Sequence, residues 1–234
     1  VKVRAAPGSA MMMRVLALAL FLVGSSVALE SGAPGKEGPP LWPFKMETAR
    51  WMVHTFDWAV LSTVSTREPT EGFPFGNPYS FADGAVDAST GIPYFYASDL
   101  DASMIDIFNG GKTQVSLTLS ENQYGGLAAC DIDAGGDPEN PPCARLVLSG
   151  EFKNITGTDE ANVAQDALFS RHPAMEDWPS DHSWFFAKLD ISSIWFIDIY
   201  GGADQLDVEK YFSTDVPEES PRATLKKKLA AHKH

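Results

Sequence analysis

Two stretches of the chain alternate between apolar and polar residues, which is the pattern of a half-buried β-strand. In residues 113–119, Val115, Leu117 and Leu119 form one face, and polar side chains fill the positions between them. Residues 145–152 repeat this alternation. The hydrophobic pattern therefore predicts two strands in the middle of the chain, each with one face on a core.

Helical spacing of apolar residues marks other parts of the chain. Residues 46–56 and 158–169 bring their apolar side chains to one side of a helix, so both predict amphipathic helices. Ser98 is expected to cap a short helix that runs through Phe108 and ends at the glycine pair 110–111.

Shorter apolar runs complete the set of predicted elements. Residues 58–64 and 92–96 predict strands, and residues 184–191 and 194–200 predict two more that follow each other closely. Residues 72–78 read as a turn-like segment, because proline and glycine interrupt them. Six or so strands with two or three helices, and no regular βαβ alternation, predict a mainly β fold with an antiparallel sheet closed into a barrel.

An apolar run near the N-terminus has the features of a secretory signal peptide. Arg14 precedes the run 15–23, and small residues follow as far as Ala28, after which we predict cleavage. The run is shorter than the roughly 20 residues that a membrane span requires, and no later segment is long and apolar enough. We therefore assign residues 1–28 to a signal peptide with its upstream residues.

The remaining chain divides into three predicted parts. Residues 29–43 are rich in glycine and proline and predict a flexible leader. Residues 44–212 predict one domain without an internal linker. Residues 213–234 lose hydrophobic periodicity, and we interpret them as a disordered tail, in which His232 and His234 could chelate a metal only weakly.

Charge and composition exclude several classes of protein. The chain has 234 residues, of which 44% are hydrophobic, so it is not wholly disordered. It carries 31 acidic and 18 basic residues, a formal net charge of −13. Cleavage of the signal peptide would remove three basic residues and no acidic one, and so would make the chain more acidic. Phosphate backbones need clustered Lys and Arg, so this balance argues against a nucleic-acid partner.

Cys130 and Cys143 are the two cysteines of the chain, and behind a signal peptide an even pair predicts a disulfide. A redox-active pair is the alternative, but its usual spacing is Cys-x-x-Cys. Asn154 begins the sequence's one N-glycosylation sequon, so we predict a glycan there, with an unused sequon as the alternative.

Motifs for hydrolysis or metal catalysis are missing from the predicted domain. There is no Gly-x-Ser-x-Gly elbow, and His182 is only a sequence neighbour of Asp181 and Ser183, whereas triad members converge from separate elements. Residues 131–137 resemble a calcium loop, but Pro142 stands where the bidentate glutamate is required. We interpret this segment as an acidic hairpin, with a weak calcium contact as the alternative, and we predict no catalytic residue and no metal site.

Several stretches, taken in their order and spacing, closely resemble the CREG family of secreted cellular repressor proteins, which is part of the pyridoxamine-phosphate-oxidase-like group. The resemblance extends from about Ala49 to Phe212. The stretches that carry it are Ala49–His54, Trp58–Ser65, Phe73–Gly84, Gly91–Tyr96, Asp137–Gly150, Ala167–Met175, Trp178–Leu189 and Ile197–Gly202.

The resemblance implies an FMN-binding split β-barrel, that is, an antiparallel six-stranded Greek-key barrel with helices, assembled as a homodimer. It also implies a secreted glycoprotein of the extracellular space or the endosome–lysosome lumen. Such proteins act in growth and differentiation control and contact the mannose-6-phosphate receptor through their glycans. Oxidase activity is implied to be lost, and the exposed loops near His172 to His182 are expected to make protein contacts.

The alternative function is that of an FMN-dependent oxidoreductase of the pyridoxamine-phosphate-oxidase type. The candidate cofactor-binding residues are Thr63, Ser65, Asn77, Arg145 and Arg171. Phosphate is bound by Arg or Lys, and residues 74–77 offer neither where the oxidases often carry an arginine. The acidic insert 124–142 is also expected to repel a phosphate. We therefore expect no cofactor, with FMN as the alternative.

Overall fold

A computed structural model describes residues 38–40 and 43–217 of the chain. The predicted signal peptide, most of the predicted leader and the tail beyond residue 217, with His232 and His234, lie outside the described residues. None of the helices within the described part is long and apolar enough to cross a membrane.

The described part of the chain contains eight strands and four α-helices. The helices are α1 (Lys45–Thr55), α2 (Ala102–Met104), α3 (Asp159–Arg171) and α4 (Val208–Ser213). The strands are β1 (Trp58–Val64), β2 (Pro74–Ser80), β3 (Ala82–Ala85), β4 (Ala88–Ser98), β5 (Gln114–Ser120), β6 (Arg145–Asn154), β7 (Trp184–Ile197) and β8 (Asp204–Leu206).

The strands form one curled antiparallel sheet in the order β2-β1-β5-β6-β7-β4-β3, with β8 paired to β7. This confirms the predicted fold class, mainly β with helices, although the sheet has eight strands instead of six. The strands β2 and β4 contact each other, yet no ladder joins them in the part of the chain that the structure describes. The curled sheet is therefore split between these two strands.

The turn predicted over residues 72–78 is wrong, because most of this segment forms β2 at the edge of the sheet. Pro74, Gly76 and Pro78 occupy alternate positions, opposite Val64, Ser62 and Val60 of β1. Every second backbone nitrogen of a strand points to the same side, and the nitrogens of Pro74, Gly76 and Pro78 point away from β1. The missing proline N–H groups therefore break no ladder hydrogen bond, which is why proline is tolerated on an edge strand.

The two strands predicted over 184–191 and 194–200 are one strand, β7, with a bulge. Ser149 of β6 faces Ser193 and the next residue, Gly150, faces Ile191, so Ser192 is the extra residue. A bulge shifts the phase of the apolar alternation by one position. In the sequence, that shift resembles a break between two strands.

The predicted helix after Ser98 also begins elsewhere. Ser98 is the last residue of β4, and Asp101 caps α2 by accepting the backbone N–H of Ser103 over 2.7 Å. The chain continues as a π-helical turn over residues 105–109, and Gly110 ends it as predicted. Asp and Ser are both good N-caps, so the sequence alone did not distinguish them.

The main core lies inside the curl of the sheet. Leu61, Leu117, Leu148 and Phe196 are fully buried there, and Met52 of α1 packs in the same cluster. Each such side chain contributes about 1.5–3 kcal/mol through burial. A second, smaller apolar cluster packs α3 against β3 and β4.

Candidate functional site

A cavity of about 270 Å³ opens at the split between β2 and β4. We call it the split cavity. The chain segment between α3 and β7 covers it, and the side chains that give it chemical character are Asn77, Tyr79, Tyr96, Asp101, Trp178 and Trp184. Concave sites lined by aromatic rings with a few convergent polar groups are typical ligand sites.

Aromatic rings form one wall of the split cavity. The rings of Tyr96 and Trp184 are stacked with their centroids 4.9 Å apart, and Trp178 lies 4.8 Å from Trp184 and 5.9 Å from Tyr96. Phe169 and Phe186 support Tyr96 from behind, at 5.4 and 5.0 Å. Trp178 is 37% exposed, so the wall is accessible from solvent.

A carboxylate, that of Asp101, lines the same cavity as the rings. Besides capping α2, Asp101 accepts the Asn77 amide through Oδ2 over 3.2 Å, and the Tyr79 hydroxyl donates to it as well. Burial, together with this hydrogen bond, raises the pKa of Tyr79 far above its usual range. The phenol therefore stays neutral and acts as a fixed hydrogen-bond donor.

The candidate flavin residues on β1 and its following loop are engaged elsewhere. Thr63 donates through Oγ1 to the buried Asp106 carboxylate over 3.0 Å. The hydroxyl of Ser65 lies 3.0 Å from that of Thr70. Of the five candidates, Asn77 lines the split cavity, whereas Thr63 lines a separate groove on the sheet.

The two candidate arginines lie in two other places. Arg145 donates to the backbone carbonyl of Glu139 over 2.9 Å. Arg171 is 6% exposed, donates to Asp57 over 3.0 Å and lies 3.7 Å from Asp83. The five residues therefore do not form one pocket, and no Lys or Arg stands among the described residues that line the split cavity. This residue set does not fit a flavin phosphate.

The sequence reading missed Asp106, the most heavily bonded carboxylate among those described here. It is fully buried and accepts hydrogen bonds from Thr63, from the backbone and side chain of Thr66, and from Arg67 over 3.1 and 3.3 Å. Burial alone would raise its pKa, but the hydrogen bonds from Arg67, Thr66 and Thr63 outweigh burial and lower it. Asp106 thus anchors the loop after β1 to the π-helical turn.

A second buried polar cluster surrounds Asp83 and was also missed. His54, in the last turn of α1, contacts the Asp83 carboxylate through Nδ1 over 2.8 Å and the Val86 carbonyl through Nε2 over 2.9 Å. Both partners only accept hydrogen bonds, so the doubly protonated imidazolium satisfies both. Burial lowers the pKa of His54, but the hydrogen bonds to Asp83 and Val86 and the Asp83 charge raise it overall.

The predicted disulfide is present in the structure, and it joins Cys130 to Cys143. The carboxylate of Glu121 lies near both sulfur atoms and accepts the Ala144 backbone N–H over 2.9 Å. Sulfur atoms bonded to each other are not thiolate ligands, so this group is not a metal site. Asn154 is exposed at the end of β6, and its side-chain oxygen accepts the Thr156 N–H over 2.9 Å.

Comparison with known proteins gives matches over most of the chain. The sequence model of the CREG β-barrel family matches residues 44–213. Human CREG1 is 35% identical over 220 residues, which is 89% of this chain and 97% of that protein. Mouse CREG2 is 39% identical over 165 residues, which is 70% of this chain and 55% of that protein.

Two solved structures share the fold at low sequence identity. A heme-binding protein from Mycobacterium smegmatis has a TM-score of 0.56 and 18% identity, covering 77% of this chain and 63% of that one. Atu2129, a protein of unknown function from Agrobacterium tumefaciens, has a TM-score of 0.50 and 24% identity, covering 71% and 62%. This chain therefore spans less than two thirds of either structure, and the likeness concerns the fold alone.

Proposed function

The chain belongs to the CREG family, and we propose that it is a secreted or endosomal–lysosomal glycoprotein that acts through protein and glycan contacts in growth and differentiation control. The observation that carries this proposal is the alignment with human CREG1 over nearly the full length of both proteins. We therefore expect its function to depend on surface features, namely the glycan, the exposed loops and the surface through which two copies would associate.

The arrangement of polar side chains supports a role without flavin chemistry. Arg145 and Arg171, the two cations proposed for a flavin phosphate, are bonded to different parts of the protein. At the split cavity, Asn77 is bonded to the Asp101 carboxylate, and a carboxylate repels a phosphate. No oxidation step is therefore assigned to these residues.

Entry into the secretory pathway is supported by the signal-peptide pattern of residues 1–28. The Cys130–Cys143 disulfide is compatible with it, because disulfides persist in oxidising compartments. Asn154 is exposed and lies at the end of a strand, where an oligosaccharide has room. We propose that the glycan at Asn154 is the group through which a mannose-6-phosphate receptor binds the protein.

We also propose that two copies associate through the outer face of the sheet, defined here by Val60, Thr118, Val147 and Trp195. These residues face each other in register across β1, β5, β6 and β7, and each is only partly buried. The neighbouring row holds small side chains: Ser62, Ser116, Ser149 and Ser193. A two-fold interface brings the same surface of both copies together, and a face with small side chains beside larger apolar ones can pair with its own copy.

Expression of the full chain in cultured animal cells tests the proposed route. We expect cleaved protein in the medium, a mobility shift after removal of N-glycans, and retention on immobilised mannose-6-phosphate receptor that free mannose 6-phosphate reverses. Asn154→Gln should abolish the shift and the retention, whereas Asn122→Gln, at an exposed asparagine outside any sequon, should change neither. Uncleaved, unglycosylated protein inside the cells would contradict the proposal.

A further inference from the structure

We propose that the split cavity binds a compact organic cation, held between the aromatic wall of Tyr96, Trp178 and Trp184 and the carboxylate of Asp101. This site is independent of the glycan and of the outer face. It would give the protein a small-molecule ligand in addition to its surface contacts.

The aromatic wall is the first observation that supports a cation. A cation within about 6 Å of an aromatic ring is attracted by the ring's π electrons, most strongly by an indole. Two of the three rings are indoles, and the three ring centroids lie within 5.9 Å of one another. The rings stack on one another, and Trp178, the most exposed of the three, offers the ring surface that a cation can reach.

The charge of the cavity is the second observation. Asp101 accepts three hydrogen bonds, from Ser103, Asn77 and Tyr79, whereas a carboxylate offers about four acceptor positions. No Lys, Arg or His lies within ion-pair distance of Asp101 in the described part of the chain, and none lines the cavity there. The negative charge is thus available to a positively charged ligand.

Size and polarity narrow the class of ligand. The cavity volume of about 270 Å³ lies just below the usual range of about 300–1,000 Å³ for ligand pockets. The neutral Tyr79 phenol and the Asn77 amide are hydrogen-bonded to the carboxylate and supply no competing charge. A tertiary or quaternary ammonium group with a short polar arm matches this combination of size, rings and one carboxylate.

Calorimetric titration of the purified mature protein with choline tests the proposal. Its neutral isostere, 3,3-dimethyl-1-butanol, has the same shape without the charge. We expect saturable binding of choline and at least tenfold weaker binding of the alcohol. Equal affinity for the two compounds, or no saturable binding of choline, would overturn the proposal.

Two variants locate the site. Trp178→Ala and Asp101→Asn should each weaken choline binding at least tenfold, and Asp101→Asn keeps a good N-cap for α2. Tyr200→Ala, at a 66% exposed aromatic residue outside the aromatic wall, is the matched control and should bind as the parent does. Thermal unfolding of each variant establishes that it is folded. Folded variants with unchanged affinity would show that choline binds elsewhere and refute the assignment.

Discussion

His54 donates from Nδ1 to the Asp83 carboxylate over 2.8 Å, and this pair fastens helix α1 to strand β3. Asp83 is fully buried and also accepts the Ser89 hydroxyl and the Gly91 backbone N–H. Arg171 of α3 lies 3.7 Å from the same carboxylate. The protonation of one histidine is therefore linked to the packing of two helices on the sheet.

The first prediction concerns the pH dependence of stability. The folded state raises the pKa of His54. The protonated imidazole therefore contributes fully to the free energy of unfolding below the unfolded-state pKa of about 6.5. This contribution is lost as the pH rises through the higher pKa of the folded state. Denaturant titrations between pH 5 and pH 8 should show this loss. In His54→Gln the loss should shrink, whereas His182→Gln, at a histidine whose side chain is 44% exposed, should retain it. An unchanged pH profile in His54→Gln would contradict the role of the Asp83 pair.

Asp106→Asn should lower the free energy of unfolding by about 3 kcal/mol. The change removes the charge that holds Arg67 and leaves part of a buried hydrogen-bond network unpaired. Denaturant unfolding measures the loss, with Asp133→Asn in the exposed loop as the control, which should stay within about 0.5 kcal/mol. A loss below about 1 kcal/mol in Asp106→Asn would show that the network does not anchor the loop.

Replacing both cysteines by serine should destabilise the protein by about 2–3 kcal/mol. The disulfide joins residues 13 positions apart, and closing a loop of that length stabilises the folded state by about 3 kcal/mol through chain entropy. The double variant should unfold at lower denaturant concentration than the parent under oxidising conditions, and at the same concentration once the parent is reduced. A parent whose stability does not change on reduction would contradict this prediction.

Val147→Glu should dissociate the proposed dimer, because it places a charge in the middle of the outer face. Val163→Glu makes the same change at an exposed position of α3 and should leave association unchanged. Light scattering coupled to size-exclusion chromatography at micromolar concentration distinguishes the two states. A parent protein that is already monomeric there would refute the proposed interface.

Local patterns predicted much of the fold. The alternation in residues 113–119 and 145–152 identified β5 and β6, and helical spacing identified α1 and α3. β2 was missed because its prolines resemble a turn unless one knows that the strand lies at an edge. The bulge at Ser192 was missed because a one-residue phase shift looks like a break in sequence.

The candidate site was less accessible to sequence reasoning. Asn77, a candidate flavin residue in the sequence, lines the split cavity, where its amide donates to the Asp101 carboxylate. The aromatic wall is built from separate segments, which supply Tyr96, Trp178 and Trp184. Their spacing in the sequence does not indicate that the rings stack. The sequence does not distinguish Asp101 and Asp106 from other acidic residues, because hydrogen-bond donors to both, such as Asn77 and Thr63, lie far from them along the chain.

The most direct test of the proposed function is the visible absorbance spectrum of the purified mature protein, followed by titration with FMN. The dispersed positions of Arg145 and Arg171, and the carboxylate at the split cavity, predict a colourless protein that binds FMN without saturation. A yellow preparation with a flavin spectrum, or saturable stoichiometric binding of FMN, would contradict the account and favour the oxidoreductase.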